Sequence, residues 1–427
     1  MSLFPLTIGP TGRYLEAQGG DPFLIHGDAA WSLASALRRE EATQYMDDRS
    51  SRGVNAVIVD LVEKLLAPNA PGNAYGVGPF TTPGDLGTPN PAYFEHVDWL
   101  VQETERRGIL LVAVPCYLGA PDPGRSPFNP EAKPEGWYEE VLTSGVPACE
   151  TYGHFLGERY AGARNVLWMI GGDRNPGKAL DHMRAVVRGI RRGGAKQLCT
   201  AHVLPEHIVT EVFPDDDWLE VTTTYTYGLV HQQVLRNYKR RPVRPTILIE
   251  STYENEHNAS EVQIRRQAWW AILSGACGHF VGSYPVDAFQ DGWENALDSP
   301  ASRAMANLKR FFESYAWWEL APDVEHRFLV DGFGELRGLN TCCAAVNQDR
   351  TLAVAYMPSA RRIVVNLSEM SGPTVDVTWF DPVTGERYEL EPVSNTEIYS
   401  LSPPGNEDWA VVFEARADSV SSGSTMS

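Results

Sequence analysis

The sequence predicts an α/β fold, a (β/α)8 TIM barrel followed by a small antiparallel β-sandwich, and three observations predict it. Short apolar runs alternate with segments of helical spacing as far as about residue 322. Nearly every apolar run stops at a polar or aromatic side chain next to glycine, proline or a loop, the arrangement that puts chemistry at the C-terminal ends of barrel strands. Beyond about residue 325 the helical period gives way to short alternating strands separated by Gly, Pro, Asn and Ser. The expected units are residues 1–322 for the barrel with an N-terminal hairpin, 323–415 for the sandwich and 416–427 for a serine-rich disordered tail.

Each element follows in order. Leu6 and Ile8, then Tyr14 and Leu15 around Gly12, read as a hairpin closing the bottom of the barrel. Residues 22–25 read as the first strand, running into the polar loop His26-Gly27-Asp28-Ala29-Ala30-Trp31. A helix over 37–52 stops at Gly53, and the second strand, 54–59, ends on Asp60. Residues 68–91, rich in Gly, Pro and Asn, form a long loop of the kind that carries binding groups. A helix at 93–107 precedes the third strand at 109–114, and a helix at 141–160 precedes the fourth at 166–170. Gly171 and Gly172 then let the backbone turn and present Asp173 at that strand's open end.

A helix at 179–192 leads to the fifth strand, 196–200, which delivers His202. The sixth, 219–223, delivers Tyr225 and Tyr227; the seventh, 245–249, delivers Glu250; the eighth, 278–282, delivers Tyr284. Helices at 232–240 and 260–274 fill the last gaps, and the sandwich strands fall at 352–356, 362–366, 375–380 and 409–414.

Composition narrows the function. A formal net charge of −19 over 427 residues argues against nucleic acid or an anionic membrane as partner and suits an uncharged ligand. No apolar run is long enough to span a bilayer. The chain opens without a basic segment and long apolar run, so a cytoplasmic location is expected, although a secreted protein trimmed of its leader would read the same. The six cysteines form no C-x-x-C pair, and the acids and histidine at Glu254, Glu256 and His257 lack a metal-ligand spacing, so no metal is expected. No phosphate-binding glycine loop is present, and no cofactor is expected.

What remains is a pair of carboxylates. Asp173 ends the fourth strand and Glu250 the seventh, and in a barrel these ends converge on one volume at the C-terminal face. Two facing carboxylates perform glycoside hydrolysis: one gives its proton to the leaving oxygen, and the other stays ionised to attack carbon or activate water. Position assigns Asp173 as acid/base and Glu250 as nucleophile in a retaining mechanism, with a carbohydrate as partner. Each residue also has a structural reading, Asp173 as a turn aspartate and Glu250 as half of an ion pair with an arginine. Arg174 bears on the choice, because a guanidinium beside Asp173 would lower its pKa unless it faces Glu250 or the substrate.

Three motifs in order, G-D-A-A-W at 27–31, G-G-D-R-N-P at 171–176 and I-E at 249–250, together with a C-terminal β domain, resemble the apiosidase-like glycoside hydrolases of family 140. The resemblance covers residues 6–414. It implies a barrel that cleaves a glycosidic bond, with Asp173 at the acid/base position, Glu250 at the nucleophile position, and Asp28 and Trp31 near the substrate. Family members commonly read G-D-T-A-W where this chain has Ala29 and are commonly secreted, and their C-terminal domain carries a collagen-binding label that nothing physical in residues 325–414 supports.

The remaining candidates each have two readings. Asp28 suits sugar hydroxyls or a helix cap. His26 and His202 orient a substrate or a carboxylate, or are satisfied structural histidines. Asp60 lines the site or pairs with Lys64. Tyr225 and Tyr227 support the nucleophile or stack on a sugar, and Trp293, after the eighth strand, is a stacking candidate, whereas Trp269 and Trp270 read as packing. A carbohydrate-binding barrel without catalysis and a metal-dependent barrel hydrolase are the competing functions.

Overall fold

The computed structural model describes residues 3–121, 136–395 and 398–416. Eight parallel strands form its largest sheet: Ile25–Ala29, Ala56–Asp60, Leu110–Val114, Val166–Gly171, Cys199–His202, Thr222–Tyr225, Thr246–Glu250 and Gly278–Val281, numbered here as barrel strands 1 to 8. Their spatial order is 5-4-3-2-1-8-7-6, so strands 5 and 6 meet at the seam. Two backbone N–H groups, of Glu220 and Val221, donate to the Cys199 carbonyl at 3.0 and 3.2 Å. The hydroxyls of Thr200 and Thr223 bridge the same gap, to Val221 O at 2.8 Å and Ala201 O at 2.6 Å. Side-chain hydroxyls thus take over where the regular ladder ends.

Alternation along the strands sorts inside from outside. Ala56 and Ile58 pack with Ile25, Ala29, Leu110, Val112, Leu167 and Met169, whereas Val57, Val59, Leu111 and Trp168 pack with Tyr45, Tyr93 and Tyr152 of the helical layer. A period of two therefore places Asp60 on the inner face with Ile58, and Asp28 on the outer face between Gly27 and Ala29.

The N-terminal hairpin gains a third strand, giving Thr7–Ile8, Leu15–Glu16 and Pro22–Phe23. Barrel strand 1 consequently starts at Ile25, and the segment expected as a polar loop, His26 to Ala29, lies buried within it. Strands 5 and 6 begin about three residues later than the spacing suggests. Gln197 is occupied before strand 5 begins, its side-chain amide donating to Tyr160 O and Ala163 O, both at 2.7 Å. The helix Pro300–Glu313, opened by a Ser299 cap that accepts from Ser302 N, was not foreseen.

The C-terminal part holds a seven-stranded antiparallel sheet and a three-stranded one facing it across a shared core of Leu329, Ile363, Val365, Val377, Val411 and Phe413. Strand Leu320–Pro322 already belongs to the larger sheet, pairing with Cys343–Asn347. The last strand, Trp409–Arg416, runs through residue 416, the first residue of the expected tail; the remainder of that tail, 417–427, lies outside the described residues.

The larger sheet sits against the barrel helix Glu261–Leu273. Trp269 stacks on Tyr356 with ring centroids 5.1 Å apart and planes within 6°. Beside them Arg265 pairs with Asp408 at 2.6 Å, both side chains buried, and the Tyr356 hydroxyl donates to the same carboxylate at 2.8 Å. No described helix is long and apolar enough to cross a membrane.

Candidate active site

The site is built from the C-terminal ends of barrel strands 4 to 7. After strand 4 the chain needs two glycines in a row. Gly171 has φ 103° and Gly172 φ 134°; a Cβ on the first would lie 2.4 Å from the His202 carbonyl oxygen, and on the second 2.1 Å from the Tyr117 ring. Asp173 follows at φ 25°, a strained value for a residue with a side chain, inside a tight turn closed by the Arg174 N–H donating to Gly172 O. Such strain costs on the order of 1–3 kcal/mol and persists only where the surroundings impose it.

His202, the last residue of strand 5, stands between the two carboxylates. Its Nε2 lies 2.9 Å from Glu250 Oε2 and its Nδ1 faces Asp173 Oδ1 at 3.6 Å. Around it sit the rings of Tyr225, 4.8 Å away between centroids, and Trp31, at 5.7 Å. The Trp31 indole N–H donates to the Tyr253 hydroxyl at 2.9 Å. Tyr225 and Tyr227 share a 2.8 Å hydrogen bond between hydroxyls, and Tyr227 is 46% exposed at the rim.

The electrostatics follow from this enclosure. Burial pushes the Glu250 carboxyl up, the neighbouring charge of Asp173 pushes it further, and hydrogen bonds from His202 and Tyr253 oppose both. Burial alone would lower His202, but its hydrogen bond to Glu250 and the charge of Asp173 outweigh that and raise it. His202 and Glu250, hydrogen-bonded to each other, therefore titrate as a linked pair. Glu250 is the deeper acid, with 8% of its side chain exposed against 24% for Asp173.

Asp60 ends strand 2 on the inner face, 1% exposed, and its backbone N–H donates to Trp31 O at 2.9 Å. Burial, then the charges of Glu63 and Asp173, hold its carboxyl well above the usual range. The Arg174 guanidinium lies over the Tyr138 ring, 3.6 Å from its centroid.

Two expected site residues lie elsewhere. Asp28 points outward from strand 1 and is neutralised beneath the helix Arg39–Ser51, where Arg49 Nε approaches at 2.5 Å and the Tyr45 hydroxyl at 2.6 Å. It braces the helix layer. Trp293 is buried against Phe289 and Tyr45, with centroids at 5.3 and 6.5 Å, so it packs the outer core instead of offering a stacking face. His26 shares the outward face with Asp28 and sits 3.4 Å from His279.

Tyr253, Tyr117 and Tyr138 were passed over. Tyr253 falls three residues after Glu250 and Tyr117 three after the end of strand 3, positions at the barrel mouth that a strand-end count would have marked. One donor atom from each of Asp173, His202 and Glu250 lies within 4.8 Å of the others, so the trio could also hold a metal ion. The linear spacing hid this cluster because its members sit on three separate strand ends.

Residues 10–319 match the family model described as "Apiosidase-like, catalytic domain". Residues 334–414 match one described as "Putative collagen-binding domain of a collagenase". No curated protein sequence matches the chain. Among solved structures, one titled "Glycoside hydrolase" superposes with a TM-score of 0.83 at 21% identity, covering 97% of this chain and 99% of its own. A glycoside hydrolase family 5 protein from Bacteroides vulgatus gives the same TM-score and identity over 97% and 95%. A family 30 endoxylanase from Clostridium papyrosolvens reaches 0.51 at 10% identity over 91% and 96%. At these identities the likeness is one of fold.

Proposed function

The chain belongs to the apiosidase-like family of glycoside hydrolases, and from that premise we propose that it cleaves its glycosidic bond with retention of configuration, through Asp173 and Glu250. One observation carries the reading: an oxygen of Asp173 and an oxygen of Glu250 approach within 4.8 Å, with His202 between them. Retaining enzymes hold the two carboxyls roughly 5–5.5 Å apart, whereas inverting enzymes need about 6.5–9.5 Å to admit a water.

Hydrogen bonds that oppose the effect of burial on Glu250, and the greater exposure of Asp173, divide the roles. Glu250, at the bottom and hydrogen-bonded by His202, attacks the anomeric carbon as a carboxylate and forms a glycosyl-enzyme ester. Asp173, nearer solvent, gives its proton to the departing oxygen, then takes one from the water that releases the sugar, and can exchange it with bulk between turnovers. Trp31 and Tyr225 wall the sugar subsite, and Tyr227 and Arg174 line the outer rim on the leaving-group side. The substrate class is a neutral sugar on a plant or microbial polysaccharide or oligosaccharide; the family's name makes apiose-containing glycans the first to assay. A net charge of −19 disfavours polyanionic chains.

The test uses a panel of aryl glycosides that includes the apioside. Proton NMR of the first-formed product should give the starting anomer. Asp173→Asn should lose far more rate on a 4-methoxyphenyl than on a 2,4-dinitrophenyl leaving group, because only the former needs a proton. A chelator should leave the rate within about twofold. Inverted product overturns retention, equal losses on both leaving groups overturn Asp173 as the acid, and loss of activity in chelator favours a metal held by the same trio.

A further inference from the structure

Among the described residues, other buried carboxylates have at least one oxygen hydrogen-bonded or paired, although Glu63 Oε2 and Asp287 Oδ1 are left without a partner. Asp28 has Arg49 and Tyr45, and Asp408 has Arg265 and Tyr356. Asp60 differs: it is 1% exposed, yet neither of its carboxyl oxygens has a hydrogen-bond partner in the protein. Leaving a buried polar atom unpaired costs about 1–3 kcal/mol, and here both oxygens of one group are in that state.

Its position says where the missing partners come from. Alternation with Ala56 and Ile58 puts the side chain on the inner face of the barrel, at the end where Asp173, His202 and Glu250 gather. Its backbone is tied to Trp31, whose ring packs on His202, and the charge of Asp173 reaches it. A metal ion is a poor occupant. The one group of His, Cys, Asp or Glu with ligand spacing among the described residues is Asp173, His202 and Glu250, and Asp60 is not in it. Groups that bring their own hydrogen-bonding pairs to a protein wall remain, and a sugar ring carries them on adjacent carbons.

We propose that Asp60 reads the sugar at the point of cleavage, its two oxygens engaging two neighbouring hydroxyls of the ring whose bond is cut. The inference rests on the retaining-hydrolase reading above. Burial beside Glu63 and Asp173 favours the neutral form of the Asp60 carboxyl, and in that form it offers one donor and one acceptor, the complement of two hydroxyls that do the same. Deep placement then makes the contact selective, since a ring lacking one hydroxyl leaves a buried group unpaired.

The experiment takes the 4-nitrophenyl glycoside cleaved fastest in the panel above, together with its monodeoxy and mono-O-methyl counterparts. Two variants are compared with the parent, Asp60→Ala and Asp60→Asn, each checked for an unchanged thermal melt. The expected result is a loss of kcat/KM of about 100-fold or more for Asp60→Ala on the full sugar, of the size seen when a site built for a hydroxyl goes unmatched. On the analogue missing the hydroxyl that Asp60 engages, the further loss should shrink to a few fold. Asp60→Asn keeps a donor and an acceptor and should recover most of the rate. Equal losses on every analogue, no loss for Asp60→Ala, or an Asn variant as poor as Ala would each overturn the assignment. Should Asp60→Ala fail to fold, the Asn variant and the analogue series on the parent still decide it. If Asp173→Asn and Glu250→Gln retain full rates, the hydrolase reading itself has failed, which is a separate outcome.

Discussion

Asp28 and Glu250 are both acids buried in barrel strands, and they do opposite jobs. Asp28 looks outward into the helix layer and meets a guanidinium and a phenol at 2.5 and 2.6 Å, so its charge is cancelled on the spot. Glu250 looks inward, meets a histidine and a second carboxylate, and among the described residues pairs with no arginine or lysine. The difference is a matter of strand parity and of the partner each face supplies. A carboxylate answered by arginine is scaffold, and one answered by a titratable histidine can change charge during a reaction.

The comparison breaks most sharply in crossed substitutions. Glu250→Gln should cut kcat by about 10⁴-fold, the scale on which removal of an essential nucleophile acts, while the melting temperature holds or rises because a buried charge is gone. Arg49→Ala should do the reverse. It strands Asp28 and should cost about 3–5 kcal/mol of stability, with the folded fraction turning over within a fewfold of the parent. Calorimetry and single-substrate kinetics on the two variants are sufficient; a catalytic collapse in Arg49→Ala with intact stability would erase the distinction.

A smaller effect sharpens the histidine's side. His202→Asn takes away the hydrogen bond that favours ionised Glu250, so kcat should fall about 100-fold, within the range of a general acid–base partner. The acid limb of the pH–rate profile should also move to higher pH, because Glu250 then holds its proton more tightly. An unmoved limb would mean that His202 merely fills space.

The smallest effect concerns stability against pH. Glu63 is buried with its carboxyl raised to about 7. Between its ordinary value of 4.5 and about 7 the folded state binds a proton that the unfolded chain releases, so this contribution is complete at low pH and lost as pH rises through that window. Glu63→Gln should therefore gain on the parent in melting temperature by a few degrees at pH 8 and by nothing at pH 4. A difference that stays constant with pH would remove Glu63 from the account.

The barrel was legible because eight buried runs ending at loops need nothing beyond local pattern, and the convergence of Asp173 with Glu250 follows from counting strands. Asp28 and Trp293 were misread for a reason equally local. With strand 1 set at 22–25, Asp28 falls in the loop at the mouth; with the strand at Ile25–Ala29 it faces outward. Nothing in the linear pattern shows that Arg49, 21 residues on, waits for it. Trp293 reads from the sequence as part of a glycine-containing loop, a context that suggests exposure, but it opens the short helix Trp293–Ala296 and Phe289 and Tyr45 close around it. Arg174 lies over Tyr138, the first residue of the helix Tyr138–Tyr160, a contact that only the folded chain reveals.

The joint between helix Glu261–Leu273 and the larger C-terminal sheet bears on how this enzyme can be re-engineered. Cutting the chain after the barrel would take from Arg265 its buried partner Asp408, leaving only Glu261 at 3.7 Å, and lay bare the face of Trp269 that Tyr356 now covers. The C-terminal part is thus a fixed buttress, not a cassette to be exchanged. Any chimera that transplants this barrel must carry Asp408 and Tyr356, or their equivalents, along with it.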